Sequence, residues 1–255
     1  MGPASPTDER VLLQGIGVDA LDLPSLLDRV DGLVRARGKA VVTYVNVHVL
    51  NVAAGDPDLT AFLQNADVCF CDGVGVVIGA RLQGKDLPKR MTGADWIWSF
   101  AERAAKERWR IAWVGGLYGV SAKAAAKLAE RQPGFEVVLA THGYTPPSGP
   151  AHEALLAQIE AAKPDILLVG MGTPIQERWV AANRDRLSAP VVWCLGATAD
   201  FVSGRVSRGP AFLHQNQEWL ARLLVEPRRL WRRYLIGNPR FLLRMAREGF
   251  RRSDG

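Results

Sequence analysis

The residues best suited to chemistry fall in three short clusters, each at the end of an apolar run. Val41 to Val47 holds Thr43, Tyr44 and Asn46 and leads into His48; Val68 to Cys71 runs into Asp72-Gly73-Val74-Gly75; Ile166 to Val169 runs into Gly170-Met171-Gly172-Thr173-Pro174-Ile175-Gln176-Glu177. A carboxylate on such a turn can take a proton from a hydroxyl nucleophile. Glycine turns that open helices also let backbone N–H groups approach a phosphate, where the helix dipole favours negative charge. Asp72 therefore reads as a general base displayed on a glycine turn, with a simple helix cap as the plainer alternative.

Two familiar patterns lie nearby and fit less well. Gly73, Gly75 and Gly79 with Asp95 approximate a dinucleotide fingerprint, but the third glycine falls one place late and the carboxylate at Asp72 would repel a pyrophosphate. Asp56-Pro57-Asp58 has the form of an acidic pair holding a divalent metal on a diphosphate, yet Asp followed by Pro is also an ordinary helix start, and that reading is preferred. No metal and no other cofactor is expected, so cations of the chain itself must neutralise any diphosphate. Cys69, Cys71 and Cys194 read as buried thiols, because no further Cys/His pair completes a zinc ligand set. His48 stands open between substrate contact and structure. Glu177 reads as a dipole-stabilising residue rather than a second base, and Asp95 as a helix cap.

Positioning these residues requires strands and helices in alternation. Val41 to Val47, Val68 to Cys71, Ile111 to Val114, Val137 to Ala140, Ile166 to Val169 and Val191 to Leu195 are short, apolar and rich in β-branched residues, as buried strands are. Leu23 to Ala36, Trp96 to Arg108, Val120 to Arg131, His152 to Ala162 and Gln176 to Arg186 have helical period. The pattern predicts an α/β fold: a Rossmann-like, mostly parallel sheet with helices on both faces, and ligands at the carboxyl ends of its strands. Residues 1–10 are expected to be disordered, 11–210 to form the body and 211–255 a helical appendage.

The appendage holds the charge. From Glu218 to Gly255 there are ten arginines and four acidic residues, a surplus that equals the net charge of +6 of the whole 255-residue chain. Arg228-Arg229-Leu230-Trp231-Arg232-Arg233-Tyr234-Leu235 alternates pairs of Arg with pairs of large apolar residues, which on a helix places Leu230, Trp231, Tyr234 and Leu235 opposite the arginines. Arg240, Arg244, Arg247 and Arg251 repeat the stripe beside Phe241, Leu242, Met245 and Phe250. Such faces suit an anionic membrane interface, at about 1 kcal/mol per basic residue. A solvated helix pair is the plainer alternative; nucleic acid is disfavoured, since the basic excess is confined to one terminal element without a binding motif. No apolar run is long enough to span a bilayer, and no signal peptide is evident up to Gln14, so a peripheral protein on the cytoplasmic side is expected. Exposed apolar surface on the tail would favour self-association into a homo-oligomer.

Six ordered motifs carry a resemblance to a known family: Asn46-Val47-His48; Ala66-Asp67 through Asp72-Gly73-Val74-Gly75-Val76-Val77; Leu87-Pro88-Lys89-Arg90-Met91-Thr92-Gly93; His142-Gly143-Tyr144; Gly172-Thr173-Pro174-Ile175-Gln176-Glu177; and Glu218-Trp219 through Arg222, with Glu226-Pro227 and Arg229. From about Leu12 to about Phe241 the chain resembles the WecG/TagA/CpsF glycosyltransferases, or glycosyltransferase family 26, which implies a GT-E-like fold. The resemblance further implies inverting, metal-independent transfer from a UDP-sugar donor to a sugar on a polyprenyl diphosphate at the cytoplasmic face of the bacterial plasma membrane. Members serve teichoic acid, enterobacterial common antigen and exopolysaccharide synthesis. The residue matching Asp72 would be the base. Those matching Asn46, Arg90 and Gln176 would line the substrate pocket, together with His48 and with Tyr44, which stands where the family often has Thr. Arg222, Arg229 and Arg232 would close over the donor diphosphate.

Overall fold

The chain, described here over residues 10–88, 91–207 and 218–253 of a computed structural model, opens with a hairpin absent from the expected strands. Strands β1 (Arg10–Leu13) and β2 (Ile16–Asp19) join through Gln14 and Gly15, both at positive φ, 53° and 77°. Two such residues give the tight turn that matches strand twist. Arg10, placed in a disordered leader by its composition, instead pairs across the hairpin with Asp19 at 3.1 Å.

Alternation then follows as the apolar pattern predicts. The order is α1 (Leu23–Ala36), β3 (Ala40–Val45), α2 (Val47–Ala53), α3 (Pro57–Gln64), β4 (Val68–Cys71), α4 (Val74–Arg81), α5 (Gly93–Glu107), β5 (Arg110–Gly115), α6 (Val120–Arg131), β6 (Glu136–Thr141), α7 (Pro150–Ala162), β7 (Ile166–Gly170), α8 (Ile175–Asn183), β8 (Val191–Cys194) and α9 (Thr198–Val202). The eight strands form one sheet in the order β1-β2-β4-β3-β8-β7-β5-β6, parallel throughout except for the hairpin. Strands β3, β4, β7 and β8 are buried at every position. Successive side chains of a strand point to opposite faces, so both faces are covered. The core centres on Trp96 and Trp193, stacked at 4.5 Å, with Phe70 edge-on to both. Cys69, Cys71 and Cys194 are buried and free, and burial holds the Cys69 and Cys194 thiols protonated.

Strand β3 passes the chain outward to β4, whereas β8, reached last, borders β3 on its other side and feeds α9 toward α5 and α6. The connections leaving β3 and β8 diverge, which opens a crevice at their carboxyl ends.

The appendage is α10 (Glu218–Val225), α11 (Pro227–Trp231), a π-helical turn (Arg232–Ile236) and α12 (Gly237–Ser253). Its apolar face is divided rather than continuous. Phe241 and Met245 are fully buried in the core of the body, where α12 packs on α2 and α4. Gly79 makes this seat: a Cβ there would meet the Phe241 ring at 2.6 Å. Leu230 and Tyr234 are also buried, while Leu224, Trp231, Leu235, Ile236 and Leu243 stay exposed. The arginine stripe divides likewise, since Arg244 donates to Asn51 on α2 while Arg240 and Arg247 face outward. Among the described residues no helix is long and apolar enough to cross a membrane.

Candidate active site

Parallel pairing brings the first two clusters together. Val45 sits opposite Cys71, and the Asp72 N–H donates to the Val45 carbonyl at 2.8 Å, so Asn46 and Asp72 leave adjacent strands side by side. Strand β3 ends two residues earlier than its apolar run because Asn46 caps α2: its Oδ1 accepts from the Val49 N–H at 3.0 Å. That bond orients the amide so that Nδ2 donates to Asp72 Oδ2 at 3.3 Å. Gly73 follows at φ 135°, a conformation that a residue with a Cβ avoids, and releases the chain from β4 into α4.

Two cavities meet at this carboxylate. One, of about 370 Å³, lies over the carboxyl ends of β3, β7 and β8 and is lined by Tyr44, Gly172, Thr173, Gly196, Thr198 and Phe201 among others. The other, of about 400 Å³, lies beneath the appendage against α4. Asn46, His48, Asp72, Thr92 and Arg233 line both, and so form the wall between them. Beyond Gly172, at the ends of β5 and β6, Tyr118 and Tyr144 stand exposed, with Tyr118 against the His142 ring at 4.0 Å.

Gln176 is fully buried and lines neither cavity, contrary to its expected place on the pocket wall. Its Oε1 accepts from the Gly196 N–H at 3.0 Å and its Nε2 donates to Glu177 Oε1 at 2.8 Å, which also accepts from the Thr173 hydroxyl at 2.8 Å. This chain of bonds ties the loop after β7 to the loop after β8. Burial holds the Glu177 carboxyl above the usual carboxylate range, against the two bonds that favour its charge. Tyr44 is buried beside it; burial, with the Glu177 and Asp72 charges adding to it, keeps the phenol protonated. Asp95 accepts from the Thr92 hydroxyl at 2.7 Å in the first turn of α5, and Asp56 caps α3 through the Leu59 N–H at 3.1 Å while pairing with Arg178 at 2.7 Å. Both are engaged in helix starts.

The expected arginines are distributed differently. Arg90 lies outside the described residues; so do the side chains of Arg222 and Arg229, whose backbones lie in α10 and α11. Arg232 is exposed, its guanidinium over the Trp231 ring at 5.2 Å, and it lines neither cavity. The arginine at the junction is its neighbour Arg233, which sequence reasoning passed over. The helical spacing gave no signal for it, since an ideal helix sets Leu230 and Tyr234 opposite the arginine pairs; the π-helical turn at Arg232–Ile236 changes that phase.

The fold and this site define a doubly wound α/β protein whose ligand crevice, at the switch point of the sheet, is roofed by C-terminal helices that supply a cation. The chain belongs to the Glycosyl transferase WecG/TagA/CpsF family, whose sequence model it matches over residues 11–255. It is a glycosyltransferase. A relative from Bacillus spizizenii is 32% identical over 200 residues, covering 78% of this chain and 76% of the relative. A second, from Bacillus subtilis strain 168, is 30% identical over 211 residues, covering 82% and 80%. Each of those two proteins is named N-acetylglucosaminyldiphosphoundecaprenol N-acetyl-beta-D-mannosaminyltransferase.

Proposed function

We propose that this chain transfers a sugar from a UDP-sugar to a saccharide carried on a polyprenyl diphosphate, by single displacement with inversion, in the assembly of a cell-surface polymer such as teichoic acid or an exopolysaccharide. The observation that carries this reading is the pair of cavities joined at Asp72: a donor and an acceptor must meet at one carboxylate. The acceptor hydroxyl gives its proton to Asp72 as its oxygen bonds the anomeric carbon, and the UDP leaves; such base catalysis is worth roughly 10²–10⁴-fold. Glycosidases need a second carboxyl as acid because an alcohol leaves, whereas a diphosphate leaves readily if its growing charge is met. Arg233 at the junction supports that role, with Arg222, Arg229 and Arg232 as the arginines the resemblance assigns to it. No metal is invoked, because these cations serve in its place.

The loop cavity suits the donor. It has the glycine loop after β7, with Gly172 and Thr173 in its lining just before the start of α8. Asn46 orients Asp72, and Gln176 acts through the loops it ties rather than by touching substrate. The division into a catalytic body, 11–210, and an appendage, 211–255, has its boundary outside the described residues; of the appendage, 218–253 roofs the body and would dock on the cytoplasmic face of the membrane. By analogy with the two relatives, N-acetylmannosamine onto an N-acetylglucosaminyl acceptor is the first pair to test; its uronic acid and glucose are the other donors. The test is a UDP-sugar panel against a short-chain prenyl diphosphate N-acetylglucosamine, read by mass spectrometry. One donor should add its mass to the acceptor, and Asp72→Asn should abolish the product with its thermal transition unchanged. Turnover retained in Asp72→Asn would refute the base; no product with any donor would refute the function.

A further inference from the structure

Resting on that reading, we propose that the cavity beneath the appendage is a binding groove for the isoprenoid chain of the acceptor, holding its first units with the saccharide diphosphate turned toward the wall shared with the loop cavity. Its ionisable residues, His48, Asp72 and Arg233, all lie on the wall shared with the loop cavity, and away from that wall Asn238 of α12 is the one polar side chain among its lining residues other than the Tyr234 phenol. From there the walls are apolar: Val74 and Ile78 of α4, Trp219 of α10, Leu235 of the π-helical turn, and Pro239 and Leu242 of α12. A sugar fits such walls badly, because each hydroxyl turned to them would lose its hydrogen bonds to water without replacement. A chain of carbons carrying one charged end fits in a single direction, with the charged end toward the shared wall and carbons along Ile78 and Leu235.

The exposure of the lining supports the same occupant. Ile78 is 43% exposed and Leu235 56%, although each lines the cavity, and they come from separate elements brought together only by the seating of α12 on α4. Two apolar side chains that line one cavity yet stay uncovered, in a cavity continuous with a site proposed to receive a lipid-linked substrate, are what an entering prenyl chain would cover. The groove differs from docking on a membrane surface: it holds the carbons next to the diphosphate, and would do so with no membrane present.

That difference sets the experiment. The same saccharide diphosphate is prepared with ethyl, one-isoprene, two-isoprene and three-isoprene tails, and kcat/KM is measured without detergent or vesicles, below the concentration at which the tails associate. A fully buried methylene gives about a fourfold gain, so the two-isoprene acceptor should exceed the ethyl one by on the order of 10²-fold, allowing for partial burial. The gain should level off once the groove is filled. Ile78→Gln and Leu235→Gln should each reduce the two-isoprene to ethyl ratio by roughly tenfold, with thermal transitions within a degree or so of the parent; Leu12→Gln, an exposed apolar residue on the β1 edge, should leave the ratio unchanged. A parent ratio near one, or variants that slow all acceptors in proportion, would overturn the groove while leaving the transferase reading intact. No turnover on any acceptor would overturn both.

Discussion

A single methyl group tests whether the appendage is seated on the body as described. An ideal Cβ at Gly79 would lie 2.6 and 2.7 Å from two ring carbons of Phe241 and 3.0 Å from Met245 Cγ. Carbon atoms rest at about 3.5–4.0 Å, so the ring would have to retreat by about 1 Å. Phe241 and Met245 are fully buried and have nowhere to go. Overpacking of this kind costs about 1–3 kcal/mol, and in a chain of this size each kcal/mol lowers Tm by roughly 2–4 °C. Gly79→Ala should therefore lower Tm by roughly 3–10 °C. Phe241→Leu removes the ring atoms that clash, so in its background the added methyl should cost little. A double-mutant cycle by denaturant unfolding should return a coupling of about 1 kcal/mol or more. Activity should follow, because α12 carries Asn238 and Leu242 on the cavity beside Asp72. A neutral Gly79→Ala, or effects that simply add, would refute the seat and with it the argument that the appendage completes the site.

Asn46→Ser keeps a capping oxygen for α2 but removes the amide donor to Asp72, so turnover should fall roughly 10- to 100-fold with Tm nearly unchanged; equal loss of stability would mean that Asn46 is only a cap. Glu177 keeps its proton more readily when folded than when unfolded, so the stability tied to it is complete below the unfolded value of about 4.3 and is lost as pH rises above it. Glu177→Gln should then gain on the parent in denaturant titrations between pH 4 and pH 8, and a gap that does not change with pH would count against this. Arg240→Gln and Arg247→Gln should each weaken sedimentation with anionic vesicles by about 1 kcal/mol, or roughly fivefold. Arg244→Gln should leave sedimentation nearly unaltered and lower stability instead, since Arg244 is bonded to Asn51.

What was legible in the sequence was whatever burial on both faces imposes on composition. Strands β3 to β8 appear as continuous apolar runs, and α1 and α6 occur at their expected bounds. Two kinds of feature escaped. Short elements set by one residue's conformation left no periodic trace: the hairpin depends on Gln14 and Gly15 at positive φ, and α2 begins where the Asn46 side chain turns back on its own backbone. Choices between neighbours escaped as well. Arg232 and Arg233 are chemically equivalent, and only the direction of the π-helical turn separates one that lies over Trp231 from one that reaches the junction. Gln176, expected on the pocket wall, lies buried between the loops after β7 and β8, and an amide that ties two loops has the same sequence signature as one that faces a ligand.

The tail presents the same ambiguity on a larger scale, and resolving it changes what the glycines after Asp72 are for. An amphipathic pattern states that one face avoids water; it does not state whether protein or lipid covers that face. Here Leu230, Tyr234, Phe241 and Met245 are covered by protein, and among the described residues Leu224, Val225, Trp231, Leu235, Ile236 and Leu243 remain exposed. Gly79, one place out of register for a dinucleotide fingerprint, is in register for Phe241. The two glycines thus have separate tasks: Gly73 releases Asp72 from the strand, and within the helix it opens Gly79 admits the appendage that brings Arg233 to the same cavity wall as Asp72. A membrane that drew on the remaining exposed residues would act on a roof already anchored through α12, so its effect on turnover would pass through α10, α11 and the π-helical turn.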